Sequence, residues 1–575
     1  MADHEHERDE SPSGFSAGSN QDDRQRSPSG SSLATSISSA SLQKSDKSIV
    51  HVPCYVKREL HLEGLQVDDY GVVRWQENSH AHPRQWSLGR KAYDSGLICF
   101  LEFFVTLISN TGSSIALEQT DFDIGRTTAL VCFTSVYMIG QALGGLVFPP
   151  IAESFGGRTV YVTTTFGYAI FCLLIAAWPI LPVVVICRFG SGFLSAMPAV
   201  VAVGSIENMW DVRARIWLIH LWIATAVLGL ALGPPSGDFC EHFVVWMILS
   251  PIVLTVSRQW IFYIASAIAA VSTLLCMKMK ESRPSQLLKQ RVKIVARNMG
   301  FDGLSCDDTD SIPDFRTFVK ASLSLPMRLF FTEPIVMLTS IMAATVYGVT
   351  YLFSEAFPVI YTEGWGFSHR EASLVFIAIA AGLAFTFLPR LFDIRVTNGR
   401  RRADQVIEPE DKLFGFYVAA PVLAIGLWWF AATVPPLVRG ITPWASIISV
   451  GLFGFAVVEF DAVLSGYLTD TYASYAGSAN APMAFLRAMF SAVFPLFGTQ
   501  MFERLGANYA LFILAVIATA YCAVAGLFGA YGKRIRQRSP FAERTWAVTV
   551  ASQQAGRIAT SLQEPEKCLD MGRSF

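Results

Sequence analysis

The chain has 575 residues, of which 52% are hydrophobic and 16% charged, with a formal net charge of -1. A water-soluble domain carries roughly 25% charged residues, so this deficit and the many apolar runs describe an all-α integral membrane protein that crosses the bilayer repeatedly. A charge so near zero gives no reason to expect nucleic acid as a partner. The ten cysteines are scattered, six of them inside apolar runs (Cys99, Cys132, Cys172, Cys187, Cys276, Cys522), and no C-x-x-C occurs, so neither a disulfide framework nor a metal site is expected.

Residues 1–50 are polar, Ser-rich and without the apolar core of a signal peptide, which predicts a disordered tail. Trp75, Pro83 and Trp86 ahead of Arg90 and Lys91 have the make-up of an interfacial collar. Twelve apolar runs follow, expected as helices crossing a ~30 Å hydrocarbon layer at 94–116, 129–151, 159–179, 182–206, 214–236, 260–279, 334–361, 371–392, 412–434, 442–468, 482–502 and 508–531. A linker, basic at first and acidic later, splits them into six and six. The expected organisation is a tail and collar (1–92), a first six-helix bundle (93–280), a linker (281–332), a second bundle (333–532) and a tail (533–575).

Basic residues mark one side. Arg158, Arg213, Arg215, the linker cluster, Arg395, Arg400–Arg402 and Lys533–Arg538 fall in the even-numbered gaps or the final flank, whereas the odd gaps hold isolated arginines. Both termini are therefore expected in the cytoplasm.

In the first span Glu102 interrupts LICFLEFFVTLIS, and a carboxylate there needs a cavity or a partner. The gap after the second span reads PPIAESFGGR, with Glu153 and Arg158 as opposite charges about a turn at Gly156. It resembles the loop motif of the major facilitator superfamily, with Pro149 where glycine is usual and Gly157 in place of the first arginine of a pair. The resemblance implies a charge network that pins one conformational state. The fourth span carries Cys187-Arg188-Phe189 with Gly192, similar to that family's fourth-helix motif, whose arginine is implicated in proton transfer. A fixed cation lowers the pKa of a nearby carboxylate. Glu102 is the acid expected to meet it; snorkelling of Arg188 to the surface is the other reading.

In the fifth span Gly229 and Gly233 lie on one helical face and admit a close neighbour. Pro234 and Gly237 then loosen the helix, which suits a moving part. Gly229-x-x-x-Gly233-Pro234-x-x-Gly237 resembles the superfamily's antiporter motif, with Asp238 where a glycine is usual. The apolar stretch 244–256 is too short to span; a re-entrant loop and a retained intron are both compatible with it.

The second half resembles the fungal drug and polyamine antiporters of that family. The residues that carry the likeness are Glu333-Pro334, Tyr347-Gly348, Tyr351 to Pro358, Pro409-Glu410, Tyr467 to Tyr472, Ser478-Ala479, Arg487 and Phe494 to Gly498. The resemblance covers 71–535 and implies two bundles rocking about a central site, with no cofactor beyond a proton gradient. Glu102, Arg188 and Glu355 are expected to couple protons. Tyr351, Phe357, Glu459, Asp461 and Arg487 are expected to line a cavity suited to cationic, amphiphilic solutes through ion pairing and cation–π contact.

The expected function is export of drugs, toxins or secondary metabolites from the plasma membrane by a monomer, with lipid, protons and a small molecule as partners. A polyamine transporter, a proton-symport permease, a non-transporting sensor and a vacuolar location are the alternatives. An enzyme is disfavoured: of nine histidines, His4, His6, His80 and His82 lie ahead of the spans, and no H-x-x-x-H falls on a span.

Overall fold

The computed structural model describes residues 52–543, apart from 69, 77–78, 118–125, 249–258, 302, 307–323, 404, 406–407, 438–439, 473–474 and 540. Side chains are also not described at helical positions 112–117, 126, 212–213, 237–248, 259 and 401.

Among the described residues, 12 helices are long and apolar enough to cross a membrane. They are Leu88–Thr111, Thr127–Phe155, Gly157–Ala177, Leu181–Met209, Ala214–Ser236, Trp260–Met277, Pro334–Glu363, His369–Arg400, Phe414–Thr433, Pro443–Tyr472, Ala476–Leu505 and Ala507–Arg538. The fifth belongs to a helix that runs on to Ile248, so the start of the 244–256 stretch extends that helix. The remainder of the stretch lies outside the described residues.

Packing repeats between the halves. The first span packs on the fifth, the second on the fourth, the third on the sixth; then the seventh on the eleventh, the eighth on the tenth, the ninth on the twelfth. Glycines set the closest approaches. A Cβ on Gly192 would stand 2.0 Å from the Tyr137 carbonyl oxygen, and one on Gly144 2.2 Å from that of Phe193. The eighth and tenth spans meet in the same way, with Gly382 against the Gly451 carbonyl at 2.1 Å and Gly454 against that of Ile379 at 2.2 Å. Small residues matter here because helices in lipid associate through close packing, not through exclusion of water.

The halves touch through two lateral seams, second span on eleventh and fifth on eighth, and through the first and seventh spans at the centre. The central helices are the most enclosed: 78% of the seventh span's most apolar window is buried, against 33% for the twelfth.

On one face of the bundle the N-terminal segment and the linker form a small module. A helix (Cys54–Leu62) and strands β1 (Leu65–Val67) and β2 (Val72–Trp75) meet the linker helix Pro284–Met299 and β3 (Ser305–Cys306). β1 pairs antiparallel with β2, and β2 parallel with β3. Val56, Leu60, Leu65, Val73, Leu288, Val292 and Val295 form its core. Trp75 donates to the Pro284 carbonyl at 3.2 Å, so it docks the linker.

A glycine at a zipped seam should be irreplaceable, while one facing open space should not. Gly192→Leu is expected to destabilise the bundle by about 1–3 kcal/mol or more, read as lost monodispersity in detergent and a lowered unfolding temperature. Gly204→Leu, where an added Cβ meets nothing within 4 Å, is expected to behave as wild type; equal behaviour of the two variants would contradict the seam.

Candidate functional site

Between the halves lies a cavity of about 720 Å³, lined by the second, fourth, fifth, tenth and eleventh spans and by the start of the linker at 281–285. It therefore opens on the linker face. On the opposite side the halves are joined by Ser109 to Tyr351, hydroxyl to hydroxyl at 2.8 Å, and by Ser135, which donates to the Ala492 carbonyl at 2.7 Å.

Asp461 and Arg487 line this cavity. Arg487 Nη1 donates to Asp461 Oδ2 at 2.7 Å, and its guanidinium lies 4.8 Å from the Tyr347 ring centroid. Glu102, on the first span, is 1% exposed, and Arg487 and Asp461 are near enough to act on it electrostatically. Glu102 Oε2 and Asp461 Oδ1 are buried and make no hydrogen bond among the described residues. The site is thus built from both halves, with one acid from the first and an acid–base pair from the second.

Other expected cavity residues stand elsewhere in this conformation. Tyr351 closes the far side through Ser109. Phe357 is fully buried in the second bundle, its ring against those of Phe353, Tyr361, Phe376 and Phe430. Glu459 accepts from Arg390 Nη2 at 2.7 Å, and Arg390 Nη1 also reaches Asp393 at 3.0 Å. This buried cluster ties the eighth span to the tenth, and Gly415 leaves the room for it. Glu355 accepts from Thr499 at 3.0 Å in the seam between the seventh and eleventh spans.

Arg188 is 1% exposed and does not snorkel. It does not meet Glu102 either. A π-helical turn at Val131–Ser135 widens the second span, and such a turn leaves carbonyls without their usual donors. Arg188 Nε donates to the Phe133 carbonyl at 2.8 Å and Nη2 bonds the same oxygen. Its guanidinium lies over the rings of Tyr137 (4.6 Å) and Phe262 (5.7 Å). Among the described residues this arginine is held by a carbonyl and two aromatic faces.

The fifth-span motif packs closely against the first span. A Cβ on Gly229 would meet Thr106 Oγ1 at 2.1 Å, and one on Gly233 would meet Asn110 Cβ at 2.9 Å. Pro234 has no N–H to give the Leu230 carbonyl; Asn110 Nδ2 donates to it instead, at 2.7 Å. Thr111 donates to the Gly233 carbonyl at 3.2 Å. The first span thus supplies the hydrogen bond that Pro234 cannot. The surroundings of Gly237 lie outside the described residues.

In the loop after the second span, Glu153 and Arg158 do not pair with each other. Glu153 faces Arg283 at 3.7 Å, and Arg158 donates to the Met277 carbonyl at 2.8 Å. The organising carboxylate is Glu281, which sequence reasoning passed over. It accepts from the backbone N–H groups of Gly157 (3.2 Å) and Arg158 (3.0 Å) and so caps the third span. Gly156 has φ +89° and sits where a Cβ would be 2.6 Å from Glu281 Oε2, two reasons for glycine there. Gln286 also donates to the carbonyls of Glu153 and Ser154. Position was the missed signal: an acid directly after Lys278 and Lys280, where the sixth span becomes linker.

Glu281→Ala should free the Gly157 and Arg158 amides. These are expected to exchange hydrogen roughly tenfold faster, the effect of losing about 1–2 kcal/mol of hydrogen bonding. Unchanged exchange at the start of the third span would remove Glu281 from this role.

The family profile described as the Major Facilitator Superfamily matches residues 98–495. The chain is 27% identical over 470 residues to the multidrug transporter TPO1_2 of Candida glabrata, covering 81% of this chain and 78% of that one. It is 30% identical over 469 residues to the efflux pump FUBT of Fusarium oxysporum (81% and 76% covered), and 30% identical over 497 residues to the multidrug transporter mdrA of Aspergillus fumigatus (84% and 77%). The fold is similar to that of the E. coli xylose transporter XylE in a partially occluded inward-open conformation, with a TM-score of 0.50 at 15% identity, over 76% of this chain and 97% of that one. With two six-helix halves about a cavity and a family match across most of both, the chain belongs to the major facilitator superfamily and is a membrane transporter, not an enzyme.

Proposed function

We propose that this transporter is a proton-driven exporter of small amphiphilic organic compounds, working by alternating access. Glu102 is the observation that carries the reading. A carboxyl group in a dry membrane interior favours its protonated form and charges only when a cation or water reaches it. Glu102 is buried, has an oxygen with no hydrogen bond among the described residues, and is near enough to an ion pair at the cavity wall to interact with it electrostatically. Such a group takes a proton when open to one side of the membrane and gives it up when open to the other.

The named functions of the fungal relatives, multidrug transport and efflux, support export over uptake. The basic residues of the even gaps, on the linker face, support a cytoplasmic position for that face and for both termini. The cavity then faces the cytoplasm and takes its solute from there. The proton gradient is the energy source, and a monomer in the plasma membrane is the proposed working form.

Glu355 has a different part. Its hydrogen bond from Thr499 within the second half is one that an amide oxygen accepts as well as a carboxyl oxygen. In sealed vesicles with an imposed pH gradient, Glu102→Gln is expected to abolish directional efflux of a fluorescent amphiphile while leaving the amount of membrane-inserted protein unchanged. Glu355→Gln is expected to retain most of it. Normal gradient-driven efflux by Glu102→Gln would overturn the mechanism, and net flux in the opposite direction would overturn export.

A further inference from the structure

We propose that the linker helix Pro284–Met299 is a docking element for acidic phospholipids, with Lys293 and Arg297 bound to headgroups at the edge of the bundle. The proposal rests on the cytoplasmic sidedness given above for the linker face, because acidic lipids are concentrated in the cytoplasmic leaflet.

The helix carries four basic residues, Lys289, Arg291, Lys293 and Arg297, and no acidic one. They do not share one role. At 3.6 residues per turn, Leu288, Val292 and Val295 fall on one side, and that side is buried in the core shared with the N-terminal helix and strands. Arg291 pairs with Glu63 of the N-terminal segment. Lys289, Lys293 and Arg297 recur at every fourth position and so form a stripe, turned away from the core. Lys293 and Arg297 are exposed and make no ion pair among the described residues. Like charges one turn apart repel each other, and a row of anions along the stripe relieves that repulsion.

Gln286 fixes where the stripe points. It falls with Lys289, Lys293 and Arg297 in one arc about 80° wide. It donates to the carbonyls of Glu153 and Ser154, in the last turn of the second span, which ends at Phe155. This face of the helix is therefore turned to the linker-side ends of the spans, where hydrocarbon gives way to headgroups. The helix also starts at that level, since Pro284 stands seven residues beyond Met277, the end of the sixth span. Phe155 is 73% exposed, so the end of the second span borders lipid beside the helix. From Gln286 to Arg297 the helix advances about 16 Å. The bundle covers the face at Gln286 and no longer covers it at Lys293 and Arg297. The layer that continues beneath them is the headgroup layer. Acidic headgroups match the stripe in sign, and Ile294, exposed beside it, adds an apolar contact at the interface.

The test is hydrogen exchange of the full-length protein in nanodiscs of phosphatidylcholine, alone or with about 30% phosphatidylserine. With phosphatidylserine, amides 290–299 are expected to exchange about fivefold more slowly, the gain from one engaged base, and about 0.5 M salt is expected to abolish the difference. Lys293→Gln/Arg297→Gln is expected to lose the slowing, whereas Lys293→Arg/Arg297→Lys keeps it. Equal exchange in the two lipids would overturn the proposal, as would slowing that survives in the glutamine variant. Loss of the slowing in both variants would also overturn it, because the charge is then not what binds. The same slowing produced by inorganic phosphate in phosphatidylcholine discs would make the stripe a site for a free anion, against a lipid surface. A nanodisc presents the same lipid on both faces, so these outcomes do not depend on which side the linker occupies. Protease cleavage of the linker in sealed vesicles tests that reading separately.

Discussion

A charge or a bare carbonyl inside a hydrocarbon layer must find its partner within the protein, because no water reaches it there. The rest of this structure depends on that constraint. Arg188 and the Phe133 carbonyl satisfy each other, and so do Asn110 and the carbonyl that Pro234 leaves bare. Arg390 joins Glu459 and Asp393, and Arg487 joins Asp461. Each of these interactions fixes one helix against another, so polar residues that are costly singly become the joints of the bundle. Glu102 makes no such joint among the described residues; its Oε2 is buried without a hydrogen bond.

Packing divides the molecule into two halves. Within each half, glycine-zipped seams bring backbones together, and an added Cβ would strike a carbonyl oxygen at close to 2 Å. Among the described residues, the polar and ring contacts between the halves include two hydroxyl-mediated bonds on the side away from the linker, and on the other lateral seam His220 with Thr386 at 2.9 Å and Trp217 stacked near Phe387. Neutral hydrogen bonds and ring contacts of this kind are worth about 1 kcal/mol each.

The linker face has its own rigid architecture. The N-terminal strands and the linker helix share a hydrophobic core, Glu63 pairs with Arg291 at 2.5 Å, and Glu281 and Gln286 tie the linker start to the loop after the second span. At the far end of the chain, Arg536 bonds Glu410 and Lys533 bonds Glu408, so the twelfth span is fastened to the loop after the eighth. The charges on this face are engaged in holding helix ends.

By itself the sequence determined the number of spans, their division by a linker and the sidedness of the basic residues. Each of these follows from a local property, the length of an apolar run or the sign of a flanking charge, and needs no knowledge of neighbours. It also singled out the residues that carry unusual cost, because a charge in an apolar run is visible wherever the helix lies. Only the tertiary structure decided what each of them meets. Glu459 and Asp461 are two residues apart on one helix, and hence on different faces: one joins Arg390 away from the cavity, the other joins Arg487 at its wall. Arg188 was expected to meet an acid and found a carbonyl, because a π-helical turn on another helix presents that oxygen. The role of Glu281 and the pairing of β2 with β3 were invisible in the sequence because the partners lie more than a hundred residues apart. Such partnerships are set by how two bundles pack, and a linear pattern of hydrophobicity and charge does not encode it locally.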